Sequence, residues 1–311
     1  MPKNEIEKIA DDIRTMRVRG AGRIARAAAN ALKIATAKTK AKTAADFKRE
    51  IEHVSKILIS TRPTAVSLPN AVRYVTLGLK QEHDSDLSAL KKIIATRADE
   101  FINNSKEAVK RIGEIGANRI SDGDVILTHC NSECALSVIK TAFKKGKQIK
   151  VIATESRPVW QGRLTVRELL KEGIPTTLII DSAVRHFMRD VDEVIVGADS
   201  ISANGAVVNK IGTSTIALAA HEARVLFFVA AETYKFHPET LVGRLVKIEE
   251  RDPNEVVNLK SFPELKVLNP AFDVTPAEYV DLIITERGII PPSAAYSVIR
   301  DIFEWKPGDK I

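Results

Sequence analysis

Apolar residues in the first third of the chain recur at intervals of three and four. Over residues 4–16 the apolar positions are Ile6, Ile9, Ala10, Ile13 and Met16, one face of a helix. Residues 26–40 are written largely in strong helix formers, with an alanine-rich face that permits close helix approach. The same periodicity continues over 45–60, 68–79 and 85–120, without strand-like runs. At Ser121-Asp122-Gly123-Asp124 the pattern changes. Short β-branched runs, predicted as strands over 125–129, 150–154, 176–180, 193–198, 225–230 and 282–285, now alternate with helical segments over 133–145, 163–171, 182–188 and 213–222. Continuous apolar strands separated by helices predict a parallel sheet covered on both faces. The fold class expected is therefore α/β: an all-helical domain over 1–120, then a Rossmann-like, doubly wound domain over 121–311 whose ligands sit at the carboxyl ends of the strands.

Composition narrows the function classes. The 311 residues suit about two domains of 100–200 residues each. With 44% hydrophobic and 28% charged residues the chain can bury a core. No apolar run reaches the roughly 18 residues of a membrane span, and the charged N-terminus has no secretory h-region, so a cytoplasmic protein without membrane contact is expected. Two cysteines make no disulfide framework. The net charge of +7 suits either nucleic acid or a small polyanion such as a sugar phosphate. Aromatics are only 5%, and 40 acidic residues are mixed among 47 basic ones, which argues against nucleic acid.

The chemistry-bearing residues cluster at predicted strand ends. Cys130 follows the first strand just before a helix, whose N-terminus would favour its thiolate; the alternative is a small buried hydrophobe. Cys134, one helical turn on, is expected in the core. Asp199, in VGADSI, also ends a strand, with Gly197 and Ala198 keeping bulk away; the alternative is a turn or capping aspartate. A thiol and a carboxyl in one crevice suit proton transfer better than metal binding, and neither a metal nor another cofactor is expected. In RVRGAGRIAR, Arg17, Arg19, Arg23 and Arg26 surround Gly20 and Gly22 at a helix start, an arrangement suited to phosphate or simply a solvated basic face. Arg62 and Thr64 beside two prolines, Asn209 and Lys210 before a helix, and Lys235 beyond a strand are further phosphate-capable groups.

Together these segments resemble one superfamily over nearly the whole chain. The motifs are RGAGRIAR, RPTAVSLPNA, DGDVILTHC, ESRPVWQGR, VIVGADSISANGAVVNKIGT, AAETYKFHP and NPAFDVTPAEYVDLIITERGIIPP, in that order. The superfamily includes methylthioribose-1-phosphate isomerase, the alpha, beta and delta regulatory subunits of translation initiation factor 2B, and an archaeal branch of ribose-1,5-bisphosphate isomerases, which this combination resembles most. The resemblance implies that Cys130 and Asp199 are the catalytic pair, which regulatory subunits usually lack. It implies that Arg19, Gly20, Ala21 and Gly22 bind phosphate with Arg62 nearby, and that Asn209, Lys210 and Lys235 line the substrate pocket, with Glu155, Arg157 and Gln161 close to it. It further implies a sugar-bisphosphate substrate and a dimer-based homo-oligomer, up to a hexamer. A role in nucleoside salvage would make AMP a sensible activator. One departure stands out: the archaeal enzymes often carry a histidine directly after the cysteine and a lysine two residues later, where this chain has Asn131 and Glu133. On this resemblance the expected chemistry is removal of a sugar C2 proton by a Cys130 thiolate and proton delivery to oxygen by Asp199; the two roles can be exchanged. The alternatives are a methylthioribose phosphate substrate and a non-catalytic subunit that binds a nucleotide or sugar phosphate.

Overall fold

The computed structural model describes residues 5–62, 65–81, 86–243 and 245–303. Asn4, Thr64 and Ser85, which fall within the expectations above, lie outside them. The chain divides into two compact units, Met1–Glu107 and Ala108–Ile311.

The first unit is helical: α1 (Glu5–Arg14), α2 (Ala21–Lys38), α3 (Ala44–Thr61), α4 (Ser67–Gln81) and the start of α5 (Leu87–Ala117), which runs on into the second unit. The stripes predicted from spacing are the buried ones: Ile24, Ala25, Ala28, Ala29, Leu32 and Ala35 on α2, and Phe47, Ile51, Val54 and Leu58 on α3. The Thr43 hydroxyl caps α3 by accepting from the Asp46 N–H at 3.1 Å. Lys33 on α2 pairs with Asp99 on α5 at 2.6 Å.

The second unit holds a seven-stranded sheet. Its strands are β1 (Val125–Thr128), β2 (Lys150–Thr154), β3 (Thr176–Ile179), β4 (Glu193–Val196), β7 (Leu226–Ala230), β9 (Leu282–Thr285) and β10 (Gly288–Ile290). The order across the sheet is β10-β9-β7-β4-β1-β2-β3, parallel except for β10, which returns antiparallel to β9. The helices are α6 (Glu133–Lys144), α7 (Gly162–Lys171), the short α8 (Val184–Phe187), α9 (Thr213–Ala223) and α10 (Ala295–Phe303). Strand side chains alternate between two cores. Leu127, Val194, Val196, Phe227 and Val229 pack with Val184, Ile216 and Ile299 on one face. Ile126, Ile195, Phe228 and Ala230 pack with Val138, Ile139 and Leu169 on the other. This is the doubly wound arrangement expected.

Four strands and one helix go beyond the predicted elements. β10 and α10 extend the C-terminal edge, and β5 (Ser200–Ile201), β6 (Val207–Lys210) and β8 (Phe272–Thr275) form a separate antiparallel sheet in the order β5-β6-β8. The β5–β6 hairpin turns at Asn204-Gly205, where Gly205 takes φ +83°. The hairpin sits directly after Asp199 and ends on Asn209 and Lys210, so it fixes the spacing of those three residues.

Candidate active site

Neighbouring strands β1 and β4 lie where the winding direction of the sheet reverses, the place at which open α/β sheets leave a crevice for ligands. Cys130 stands just beyond the carboxyl end of β1 and Asp199 just beyond that of β4. Gly197 lets the two ends approach: a Cβ there would lie 2.3 Å from the Ser132 hydroxyl and 2.6 Å from its Cβ.

Cys130 adopts the left-handed conformation, φ +68°. For a residue with a Cβ this costs about 1–3 kcal/mol and must be held by its surroundings. Three contacts hold it. The Cys130 N–H donates to Ser156 Oγ at 2.8 Å, Thr165 Oγ1 donates to the Cys130 carbonyl at 2.6 Å, and the thiol donates to Gln161 Oε1 at 3.5 Å. Ser156 and Trp160 are themselves left-handed. The Asp181 carboxylate anchors their loop by accepting from the N–H groups of Ser156 and Arg157, each at 2.8 Å. Asn131 donates to Thr165 and Glu168 beside the same turn.

The thiol differs from the expectation of a stabilised thiolate. Burial pushes it up, to about 11; Lys210 pulls it down, and Asp199 and Asp181 push it up. Cys130 precedes Ser132, the N-cap of α6, and desolvation outweighs the help of that helix end. Burial thus favours the neutral thiol over the thiolate.

Lys210 is 6% exposed, and its ammonium lies 5.0 Å from the centre of the Phe272 ring. Asn209 donates to Thr213 Oγ1 at 3.0 Å, and that hydroxyl donates to the Lys210 carbonyl at 2.6 Å. The following turn is closed by Gly212 at φ +101° and by Asp273, whose carboxylate accepts from the N–H groups of Gly212 and Ser214 at the start of α9. Lys235 is buried against Glu232 at 2.7 Å. Burial would push its ammonium down; the Glu232 carboxylate reverses this, and Asp199 adds to the upward pull. Cys134, 1% exposed, lies against Glu232, and burial holds its thiol far up. Lys210 and Asp199 thus act on the charge of Cys130, and Asp199 acts on that of Lys235, with Asn209 next to Lys210 at the end of β6.

Arg19, Gly20, Ala21, Gly22 and Arg62 belong to the first unit. Gly20, at φ +86°, opens α2, and Arg19 closes the preceding turn by donating to the Met16 carbonyl at 2.8 Å. Arg17 is engaged with Asp11 and Asp12. Arg62 ends α3 and is 8% exposed. Ser67, at the start of α4, donates to the Ala21 carbonyl at 3.0 Å, which ties the two motifs together within this unit. Glu155 pairs with Arg163, while Arg157 and Arg163 each stack on Trp160, at 4.6 and 4.1 Å. Ser156, Thr165, Asp181 and Glu232 carry no sequence signal of comparable strength, except that Glu232 and Lys235 stand three residues apart.

Residues 17–292 match the Initiation factor 2 subunit family. The chain is 58% identical over 307 residues to a ribose 1,5-bisphosphate isomerase of Pyrococcus furiosus, covering 97% of this chain and 95% of that one. It is 40% identical to a methylthioribose-1-phosphate isomerase of Geotalea uraniireducens, over 92% of this chain and 87% of the other. Among solved structures it is similar to a Pyrococcus horikoshii translation initiation factor eIF-2B, with TM-score 0.82, 36% identity and coverage of 93% and 98%. It is also similar to a 5-methylthioribose 1-phosphate isomerase of the same organism, with TM-score 0.77, 34% identity and coverage of 96% and 87%. A helical unit, a doubly wound sheet and a match spanning most of the sequence place this chain in the Initiation factor 2 subunit family.

Proposed function

We propose that the protein isomerises ribose 1,5-bisphosphate to ribulose 1,5-bisphosphate, with Cys130 and Asp199 moving the protons. The observation that carries this is the pairing of a thiol and a carboxyl across the β1/β4 reversal, with the buried cations Lys210 and Lys235 beside them. The similarity of 54–58% to several archaeal proteins named for this reaction supports the choice of substrate.

The anomeric phosphate locks the sugar as a ring, so the ring C–O bond must be broken with help. The pair begins with one proton, resting on sulfur. Its transfer to Asp199 creates a thiolate and a carboxylic acid. Asp199 then protonates the ring oxygen as the C1–O bond breaks, and the thiolate removes the C2 proton, leaving a C1=C2 enol. Asp199 takes the proton of the C2 hydroxyl while the Cys130 thiol delivers its proton to C1. The ketose is formed and the pair regains its thiolate–acid state. A neutral resting thiol fits this scheme, because the pair needs a single shared proton. Arg19, Gly20, Ala21, Gly22 and Arg62, all in the first unit, are proposed to bind phosphate.

Incubation with ribose 1,5-bisphosphate, with Cys130→Ser and Asp199→Asn alongside, tests the proposal. Turnover in the native protein and its loss in both variants is the expected result. Absence of turnover in the native protein, with methylthioribose 1-phosphate converted instead or with phosphate-ligand binding alone, would transfer the assignment to the other family activities. The same reading carries a dimer-based homo-oligomer, checked by solution mass, and activation by AMP in the cytoplasm, checked by rates with and without the nucleotide. Among the described residues no helix is long and apolar enough to cross a membrane.

A further inference from the structure

His129 is 1% exposed and stands between Thr128, the last residue of β1, and Cys130. Both of its ring nitrogens are engaged, each by a different segment. Nδ1 lies 2.5 Å from Thr154 Oγ1 at the end of β2, and Nε2 lies 2.9 Å from the Ile211 carbonyl in the turn after Lys210. A carbonyl only accepts, so Nε2 carries the proton and Nδ1 accepts from the threonine hydroxyl. Ser156 Oγ, which receives the Cys130 N–H, lies 3.3 Å from Nδ1 and 3.4 Å from Thr154 Oγ1. A Cβ on Gly212 would come within 3.3 Å of the imidazole Cε1, so the turn rests directly against the ring. Burial pushes the imidazole down, to about 4, so it stays neutral and keeps this hydrogen-bond direction through the neutral range.

We infer that His129 is a positioning residue: by bonding the end of β2 through one nitrogen and the Ile211 turn through the other, it fixes the turn that follows Lys210 against the strand end that carries Cys130. An ordinary core histidine would need its polar atoms satisfied, but not by the segments that carry the two neighbours of one thiol. The inference rests on the proposed function only for its catalytic meaning; the geometry it asserts can be tested without turnover. The charged groups acting on Cys130 are Lys210, Asp199 and Asp181, and Gln161 accepts its proton. Of the three charges only Lys210 favours the thiolate, so loosening its turn must make the thiol harder to ionise.

The test is the pH dependence of Cys130 alkylation by iodoacetamide in the full chain, followed by peptide mass so that Cys134 is counted separately. His129→Leu fills the space without either bond; His129→Gln keeps an N–H near the position of Nε2. Lys210→Met removes the charge. We expect His129→Leu to slow alkylation about 3- to 10-fold at pH 8.5, corresponding to half to one pKa unit. His129→Gln is expected to stay within about 2-fold of the native rate, and the His129→Leu, Lys210→Met double variant to be no slower than Lys210→Met alone, as coupled groups require. Native or faster alkylation in a folded His129→Leu, or effects that add in the double variant, would overturn the inference. If His129→Leu does not fold, His129→Gln decides: its double variant with Lys210→Met must match Lys210→Met alone, and a Gln variant slowed about 10-fold or more contradicts the proposed bond to Ile211. Loss of isomerase activity in the native protein would leave this alkylation result unaffected, so the two readings fail separately.

Discussion

The two ends of the seven-stranded sheet each hold a titratable group far from its ordinary value, in different surroundings. At the carboxyl end, Cys130 is pushed up to about 11 by burial. At the amino end, Glu193 opens β4 and is pushed from 4.5 up to about 8, by burial first and then by Asp124, with Arg119 opposing. Around Glu193 the acidic side chains tie backbone: Asp192 accepts from the Val125 N–H at 2.8 Å, and Asp122 from the Gln148 N–H at 2.6 Å. None of the residues named there has left-handed backbone. Around Cys130 the backbone is left-handed at Cys130, Ser156 and Trp160, side chains from separate segments hold it, and buried cations stand nearby. On the proposed function, a shifted pKa alone does not mark the site in this protein. Stored backbone strain at the reversal of a parallel sheet, joined to opposed charges, separates the proposed site from a structural carboxyl.

The largest expected contrast is in turnover. Cys130→Ser and Asp199→Asn should each lower kcat by about 10³-fold or more, while Glu193→Gln changes it by less than about 3-fold. A comparable loss in Glu193→Gln would erase the distinction between the two ends. Thiol reactivity sharpens it next. With the thiol moved from 9.0 to about 11, Cys130 should alkylate about 100-fold more slowly than a free cysteine peptide at pH 8. A rate equal to the peptide's would show that the crevice does not hold the thiol neutral.

Stability reads the amino end. A carboxyl whose folded value is raised binds its proton in the folded state between pH 4.5 and about 8, where the unfolded chain has released it. Its contribution is present below 4.5 and lost as pH rises to 8. His129 runs the other way, since its folded value is lowered from 6.5 to about 4, and its contribution is lost as pH falls through that range. The window from 6.5 to 8 therefore isolates Glu193. Glu193→Gln should flatten the decline there and leave the variant about 2–4 kcal/mol more stable than the native protein above pH 8. Denaturant unfolding at pH 6.5 and 8.5 checks this, and parallel declines in the two proteins would contradict it. The smallest effect is at the carboxyl end: Thr165→Val leaves the Cys130 carbonyl without its hydroxyl donor, at about 1 kcal/mol of stability. Turnover should fall with it by about 3- to 10-fold, in contrast to the Glu193 variant.

The parallel sheet was legible because its strands are short apolar runs between helices, and a strand buried on both faces has few other ways to be written. The strand boundaries moved by one or two residues, at His129, at Ile180, at Gly197 and Ala198, and at Val225. The β5-β6-β8 sheet escaped notice because β5 has two residues and β8 reads FDVT, too short for a period to emerge. The Asn204-Gly205 turn between β-branched residues was the one available signal. The place of Cys130 and Asp199 just beyond strand ends was legible from position. The surroundings of Cys130 were legible only in part: the resemblance brought in Gln161, but Ser156 and Thr165 reach Cys130 from 26 and 35 residues away. The upward push on the thiol arises from packing that local spacing does not encode.

Isomerisation in D2O tests the central claim most directly. Proton transfer through Cys130 and Asp199 predicts ribulose 1,5-bisphosphate whose C1 carries the C2 hydrogen, or solvent deuterium in those turnovers in which the sulfur-held proton exchanges first, with the product absent from both variants. Full turnover in the Cys130→Ser or Asp199→Asn protein, or solvent label at C1 that is unchanged when the sulfur is removed, would contradict it.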